Sequence, residues 1–159
     1  MSTLPQLIEE DVHRLEDILQ DLLEKTDATT ALIIDKGGFL ISSLGDCRQF
    51  DLTTIAALAS GAYMANQTIA NLIHETNFND VYQQGEKHSM FVACIDENCL
   101  LVIIFKASVS VGIVKYFSSP AAQQIAAQLR SAQERDPGAG LDLSMLNLAD
   151  PSEVFKKKA

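Results

Sequence analysis

Side chains able to do covalent or metal chemistry are few in this chain, and they are scattered. The three histidines, His13, His74 and His88, stand far apart in sequence. None lies in an H-E-x-x-H pattern, which would set two imidazoles on one helix face to bind zinc, and His74-Glu75 lacks the second histidine. Only a metal site assembled from distant residues stays open. Cys47, Cys94 and Cys99 are odd in number and form no C-x-x-C pair. Cys94 and Cys99 flank a predicted hairpin turn and could sit near each other, but the expected state of all three is the reduced thiol of the cytosol. No G-x-x-x-x-G-K-[ST] loop is present, and Gly37-Gly38 joins two strands whereas phosphate loops open helices. G-x-S-x-G is absent as well. The expectation is a protein with no catalytic residues, no metal and no cofactor, acting through a surface.

The candidate surface is the stretch from Asp51 to His74, DLTTIAALASGAYMANQTIANLIH, which holds no Lys, Arg, Asp or Glu between Leu52 and Ile73. A helix facing solvent normally keeps one charged side. One face can bury Leu52, Ile55, Ala59, Ala62, Ala65, Ile69 and Leu72 against a sheet. The opposite face then carries Thr53, Ala57, Ser60, Gly61, Met64 and Thr68, small or soft and uncharged. Such a face suits close approach by another protein. The alternative is a helix enclosed in the middle of one domain, but a chain this short rarely covers a helix on all sides.

The elements that must position this helix follow from periodicity. Leu7, Ile8, Val12, Leu15, Ile18, Leu19, Leu22 and Leu23 recur with the helical period, predicting an amphipathic helix from Pro5 to about Lys25 capped by Thr3. Its outward face carries Glu9, Glu10, Glu16, Asp17, Asp21 and Glu24. Thr29 to Asp35 reads as a buried strand, Lys36-Gly37-Gly38 as a tight turn, and Phe39 to Ser43 as the return strand. Asp51 is a good N-cap for the central helix. Beyond it, Asn77 to Gly85 holds a short strand, and Ser89 to Ile95 and Cys99 to Phe105 are strong strands joined by Asp96-Glu97-Asn98. Ser110 opens a last helix with apolar positions Ile113, Val114, Phe117, Ala121, Ile125 and Leu129. Pro120 should kink that helix or split it near Ser118-Ser119. The order is α-β-β-α-β-β-β-α, an α+β sandwich on a five-stranded antiparallel sheet.

With 159 residues, the chain fits one domain, assigned to residues 1–135, with a linker and tail at 136–159 opened by Asp136-Pro137-Gly138. The tail either docks on this domain or folds onto a partner. Twelve Lys plus Arg stand against 21 Asp plus Glu, a net charge of −9. An acidic chain without a basic stripe is a poor nucleic-acid binder and is not drawn to an anionic membrane. The N-terminal stretch has no signal-peptide pattern and CLLVIIF is too short to insert in a bilayer, so a cytoplasmic location is expected.

Several segments, LIIDKGGFLISSLGD, DLTTIAALASGAYMANQTIANLI, QQGEKHSMFVACI and LLVIIFKASVSVGIVK, together resemble the Roadblock family of dynein-light-chain-like proteins, and within it the bacterial MglB proteins. The run Ser110-Val111-Gly112-Ile113-Val114-Lys115 fits the family pattern with conservative changes, and the match spans roughly Leu7 to Leu129. The resemblance implies a Roadblock/profilin-like fold and a non-catalytic homodimer with edge strands joined and central helices side by side. It further implies binding to a Ras-like small GTPase of the MglA type, one dimer per GTPase, and stimulation of GTP hydrolysis in bacterial cell polarity and motility. Ala57, Ser60, Gly61, Met64 and Thr68 would then form the partner face, and Leu146, Val154 and Phe155 in the tail a second contact. The arginines Arg14, Arg48, Arg130 and Arg135 lie off the uncharged face, so activation would proceed by ordering the switch loops rather than by an inserted arginine. A scaffold or anchor of the same fold, or a small-molecule sensor, is the rival reading.

Overall fold

The first helix, α1, runs from Glu9 to Thr26 in the computed structural model, which describes residues 4–135. It begins four residues later than its periodicity predicts, and the predicted cap Thr3 lies outside the described residues. The reason is local. The Asp11 carboxylate reaches back to accept the Ile8 N–H at 2.9 Å, satisfying a donor that would otherwise be orphaned at the helix start. Leu15, Leu19 and Leu22 form its buried stripe. Asp27, in the left-handed region at φ 55°, ends it.

Strands β1 (Thr30–Asp35) and β2 (Leu40–Gly45) form the predicted hairpin, with a bulge where Ile33 pairs with Ser42 and Ile34 with Leu40. Helix α2 (Leu52–Leu72) follows. Strands β3 (Asp80–Gln84), β4 (His88–Cys94) and β5 (Cys99–Lys106) make an antiparallel meander, and α3 (Val111–Glu134) closes the described chain. The five strands pair in the order β2-β1-β5-β4-β3. Among the described residues, the edge strands β2 and β3 each pair on one side only.

Alternation along the strands divides the core between the two faces of the sheet. Ala31, Ile33, Leu101, Ile103 and Phe105 pack against α1 and α3, with Leu15, Leu19, Ile125 and Leu129 opposite them. Leu32, Ile34, Val92, Leu100 and Val102 face the other way and meet Leu52, Ala56, Ala59 and Tyr63 of α2. Among the described residues, one face is therefore covered by two helices and the other by α2 alone.

Pro120 does not split α3, which runs unbroken from Val111 to Glu134. A proline inside a helix costs about 3 kcal/mol. Val114, Ile125 and Leu129, buried on either side of it, outweigh that cost, since full burial of one such side chain is worth about 1.5–3 kcal/mol. Ile113, assigned by sequence to the buried stripe, is exposed.

Candidate functional site

Helix α2 starts where the sequence places it. Asp51 caps it, its carboxylate accepting the Thr54 N–H at 3.2 Å and the Thr54 hydroxyl at 2.6 Å. Those two bonds, the hydroxyl first, hold the Asp51 carboxyl below its ordinary pKa. At the far end, Ile73 and His74 donate to carbonyls of the last turn, and His74 adopts φ 67°, which stops the helix.

The rotation of α2 about its axis differs from expectation. Leu52, Ala56, Ala59, Ser60, Tyr63 and Ala70 are the residues turned to the sheet. Ala62, Ala65, Ile69 and Leu72, expected inside, are not buried, and Ile55 is half-buried. The shift amounts to roughly one residue, or about 100° of rotation. Two anchors fix it. Tyr63 is buried between Lys36, whose Nζ lies 5.7 Å from its ring centroid, and Cys94; burial first, and then the Cys94 thiol, push its hydroxyl pKa up to about 12. Ser60 is the second anchor. The sequence assigns it to the partner face, but it is buried and its hydroxyl donates to the Lys36 carbonyl. Short polar Ser60 fits a helix lying close on the β1–β2 turn, where its donor satisfies a strand-end carbonyl.

The other residues that the sequence assigns to that face, Ala57, Gly61, Met64 and Thr68, are all on the open side of the helix. Their spacing of four, three and four residues lines them along one flank of α2. Leu58, Ala62 and Ile69 line the opposite flank, and Ala65 and Leu72 form the crest between them; Leu58 is 68% exposed and Leu72 75%. One flank is thus small and soft, the other aliphatic. Gly38, in the β1–β2 turn, packs so near Ala57 that a Cβ added to it would lie 3.1 Å from the Ala57 Cα, which places the small flank on the β2 side of the sheet. Ile55 instead lines an open groove of about 390 Å³ with Phe50, Gln83, His88 and Met90, which places the aliphatic flank on the β3 side.

No charged side chain belongs to α2, so neither flank imposes electrostatic demands on what covers it. Arg14, Arg130 and Arg135 sit on or at the end of the helices across the sheet, and Arg48 on the exposed loop before α2. Arg14 pairs with Glu10 at 2.6 Å. Among the described residues no three His, Cys, Asp or Glu side chains gather in a way that could hold a metal ion, and no helix is long and apolar enough to cross a membrane. Leu146, Val154 and Phe155 lie outside the described residues.

Two features escape sequence reasoning. Phe39, assigned to the return strand, stands 72% exposed at the end of the β1–β2 turn. Asp11 is fully buried and accepts from Ile8, from Gln128 Nε2 at 2.8 Å and from both Arg135 terminal nitrogens at 2.8 and 2.7 Å. The Arg135 fork, working against desolvation, brings its pKa down to about 2. A carboxylate four residues before Leu15 on a buried helical stripe was the available signal.

Known proteins of this shape now bear on the site. A solved structure described as MglB with tetrameric arrangement is 28% identical, covers 83% of this chain and 99% of its own, and superposes with a TM-score of 0.77. The gliding protein MglB of Thermus thermophilus is 28% identical, covering 82% and 99%, with a TM-score of 0.76. MglB of Myxococcus xanthus is 27% identical, covering 82% and 98%, with a TM-score of 0.75. The sequence model of the Roadblock/LC7 domain matches residues 14–105, from α1 through the whole of the sheet to β5. With that match extending over more than half of its length, the chain belongs to the Roadblock/LC7 family.

Proposed function

We propose that this protein is a homodimeric, non-catalytic regulator that binds a Ras-like small GTPase of the MglA type in its GTP state and speeds hydrolysis. The observation that carries the reading is the outer surface of α2: a helix of 21 residues without a charge, open to solvent along its outer side, in a chain with MglB proteins among its similar solved structures. A surface of that kind is unfavourable in water and favours being covered by protein. The aliphatic flank, with Leu58, Ala62 and Ile69 overhanging the β3 side, suits a second copy. Pairing β3 edges would cover the open strand and lay two α2 helices together in one isologous contact. The two helices side by side then present one broad uncharged platform, flanked by the small residues, with one dimer serving one GTPase.

Activation in this reading needs no group from the regulator in the reaction. Hydrolysis of GTP requires an ordered water and stabilised charge on the transferring phosphoryl group. Arg135 is committed to Asp11 and Arg14 to Glu10, and both lie across the sheet. A rigid, uncharged platform instead binds one arrangement of the switch loops and raises its population, supplying the GTPase's own catalytic groups in place. Residues 1–135 form the regulatory domain in this proposal; residues 136–159 form a tail in which Leu146, Val154 and Phe155 make a second contact with the GTPase. The setting is the bacterial cytoplasm, in control of polarity and motility.

The test is equilibrium binding of an MglA-type GTPase loaded either with a non-hydrolysable GTP analogue or with GDP. Tighter binding of the GTP form, lost in the double variant Met64→Arg with Thr68→Arg while folding and dimerisation persist, is the expected result. Equal binding of both forms would make the protein a scaffold rather than a nucleotide-state reader.

A further inference from the structure

We propose that Phe39 is the anchor residue by which the small flank of α2 holds its GTPase, an inference that rests on the function proposed above. Three observations converge on this ring. It is 72% exposed, more than Met64 at 48%, and comparable with Leu72 at 75% on the helix crest. A phenyl ring so placed gains nothing for the isolated protomer, whereas aromatic side chains entering a partner's pocket dominate binding energy at protein interfaces.

The backbone beneath the ring is also held rigidly. The Phe39 N–H donates to Asp35 Oδ1 at 2.8 Å, its carbonyl accepts from the Asp35 N–H at 2.9 Å, and Gly38 N–H donates to the Asp35 carbonyl at 3.0 Å. Lys36 N–H donates to the Asn98 carbonyl at 2.7 Å, and the Lys36 carbonyl takes the Ser60 hydroxyl. The turn is therefore tied to β5's leading loop on one side and to α2 on the other. An anchor whose backbone is already held loses little backbone freedom on binding.

Position selects the occupant. Gly38, at φ 95°, abuts Ala57, the first member of the small flank, so Phe39 stands beside the row Ala57, Gly61, Met64 and Thr68. Ile55, next to the aliphatic flank, opens toward β3, and the pairing of β3 edges proposed above puts the second copy on that side. A ring on the β2 side is thus left to the heterologous partner. The matching feature on the GTPase is an uncharged apolar pocket beside a segment that lies over Ala57 and Gly61.

The experiment uses the full chain with Phe39→Ala and Phe39→Leu, titrated with an MglA-type GTPase carrying a non-hydrolysable GTP analogue, alongside light scattering and thermal melting. Because the ring is exposed, both variants should melt within about 2 °C of the parent and keep its oligomeric state. Phe39→Ala should weaken GTPase binding at least about tenfold, and Phe39→Leu should recover part of the loss. Unchanged affinity in Phe39→Ala, with Met64→Arg abolishing binding, would overturn the inference and leave the GTPase reading standing. Dissociation of the dimer in Phe39→Ala would also overturn it, by placing the ring in the homodimer seam. A parent protein that binds no such GTPase would remove the function reading, and this inference with it.

Discussion

Gly61 offers a way to separate what α2 does for its own protomer from what it does for a partner. It lies mid-helix, where glycine costs about 0.5–1 kcal/mol relative to alanine through backbone entropy. A Cβ built on Gly61 meets nothing within 4 Å inside the protomer. Gly61→Ala should therefore stabilise the fold by about 0.5–1 kcal/mol, raising the melting temperature by about 2–5 °C for a domain of this size. If a GTPase segment approaches the small flank closely, the added methyl crowds it. Overpacking of that kind costs about 1–3 kcal/mol, roughly a five- to 150-fold loss of affinity by the usual conversion of about 1.4 kcal/mol per tenfold. Thermal denaturation at fixed protein concentration, followed by titration with the GTP-analogue-loaded GTPase, reads both quantities. A more stable variant that binds as well as the parent would refute close approach over Gly61. A variant less stable at every protein concentration would refute the account of this helix face itself.

Two further outcomes follow from the geometry. Ser60→Ala should destabilise the protein by about 1–3 kcal/mol in chemical denaturation, because it leaves the Lys36 carbonyl without its donor, while GTPase affinity measured on the folded fraction stays unchanged; reduced affinity with unchanged stability would return Ser60 to the partner face. Arg135→Ala should lower stability in chemical denaturation by stripping the buried Asp11 carboxylate of its charged partner. The Asp11 pKa lies at about 2, below the ordinary 3.8, so its contribution is complete above about pH 4 and is lost as pH falls from 3.8 through 2. Acid unfolding of the parent should steepen in that window, and Arg135→Ala should flatten it; identical acid profiles would show that the pair contributes nothing to stability.

The strands and helices are readable in order because each carries a strong local signal. TTALIID and CLLVIIF are buried on both faces and read as continuous apolar runs, Gly37-Gly38 turns the first hairpin, and Asp51 caps α2 where expected. The rotation of α2 is not readable for the same reason that the helix stands out. A helix apolar or small on every side has no polar face to mark its exterior, so its phase is set by tertiary contacts, the burial of Tyr63 and the Ser60–Lys36 bond. Local rules also allow Pro120 to split α3, whereas burial along the helix keeps it continuous. The Asp11–Arg135 pair joins residues 124 positions apart and leaves no trace in sequence beyond a carboxylate on an apolar stripe. Phe39 reads as an ordinary strand residue, because alternation after a glycine turn does not tell which side of an edge strand is covered. Of the five residues assigned to the partner face, four share an open flank, and Ser60 is an internal fastener.

The proposed promotion of GTP hydrolysis by the uncharged flank of α2 is tested most directly by single-turnover kinetics. An MglA-type GTPase preloaded with GTP would be followed for phosphate release alone, with the protein, and with the Met64→Arg, Thr68→Arg double variant. The expected result is a rate increase with the parent protein and none with the double variant, at protein concentrations above the measured dissociation constant. Saturating binding without any change in rate would contradict it.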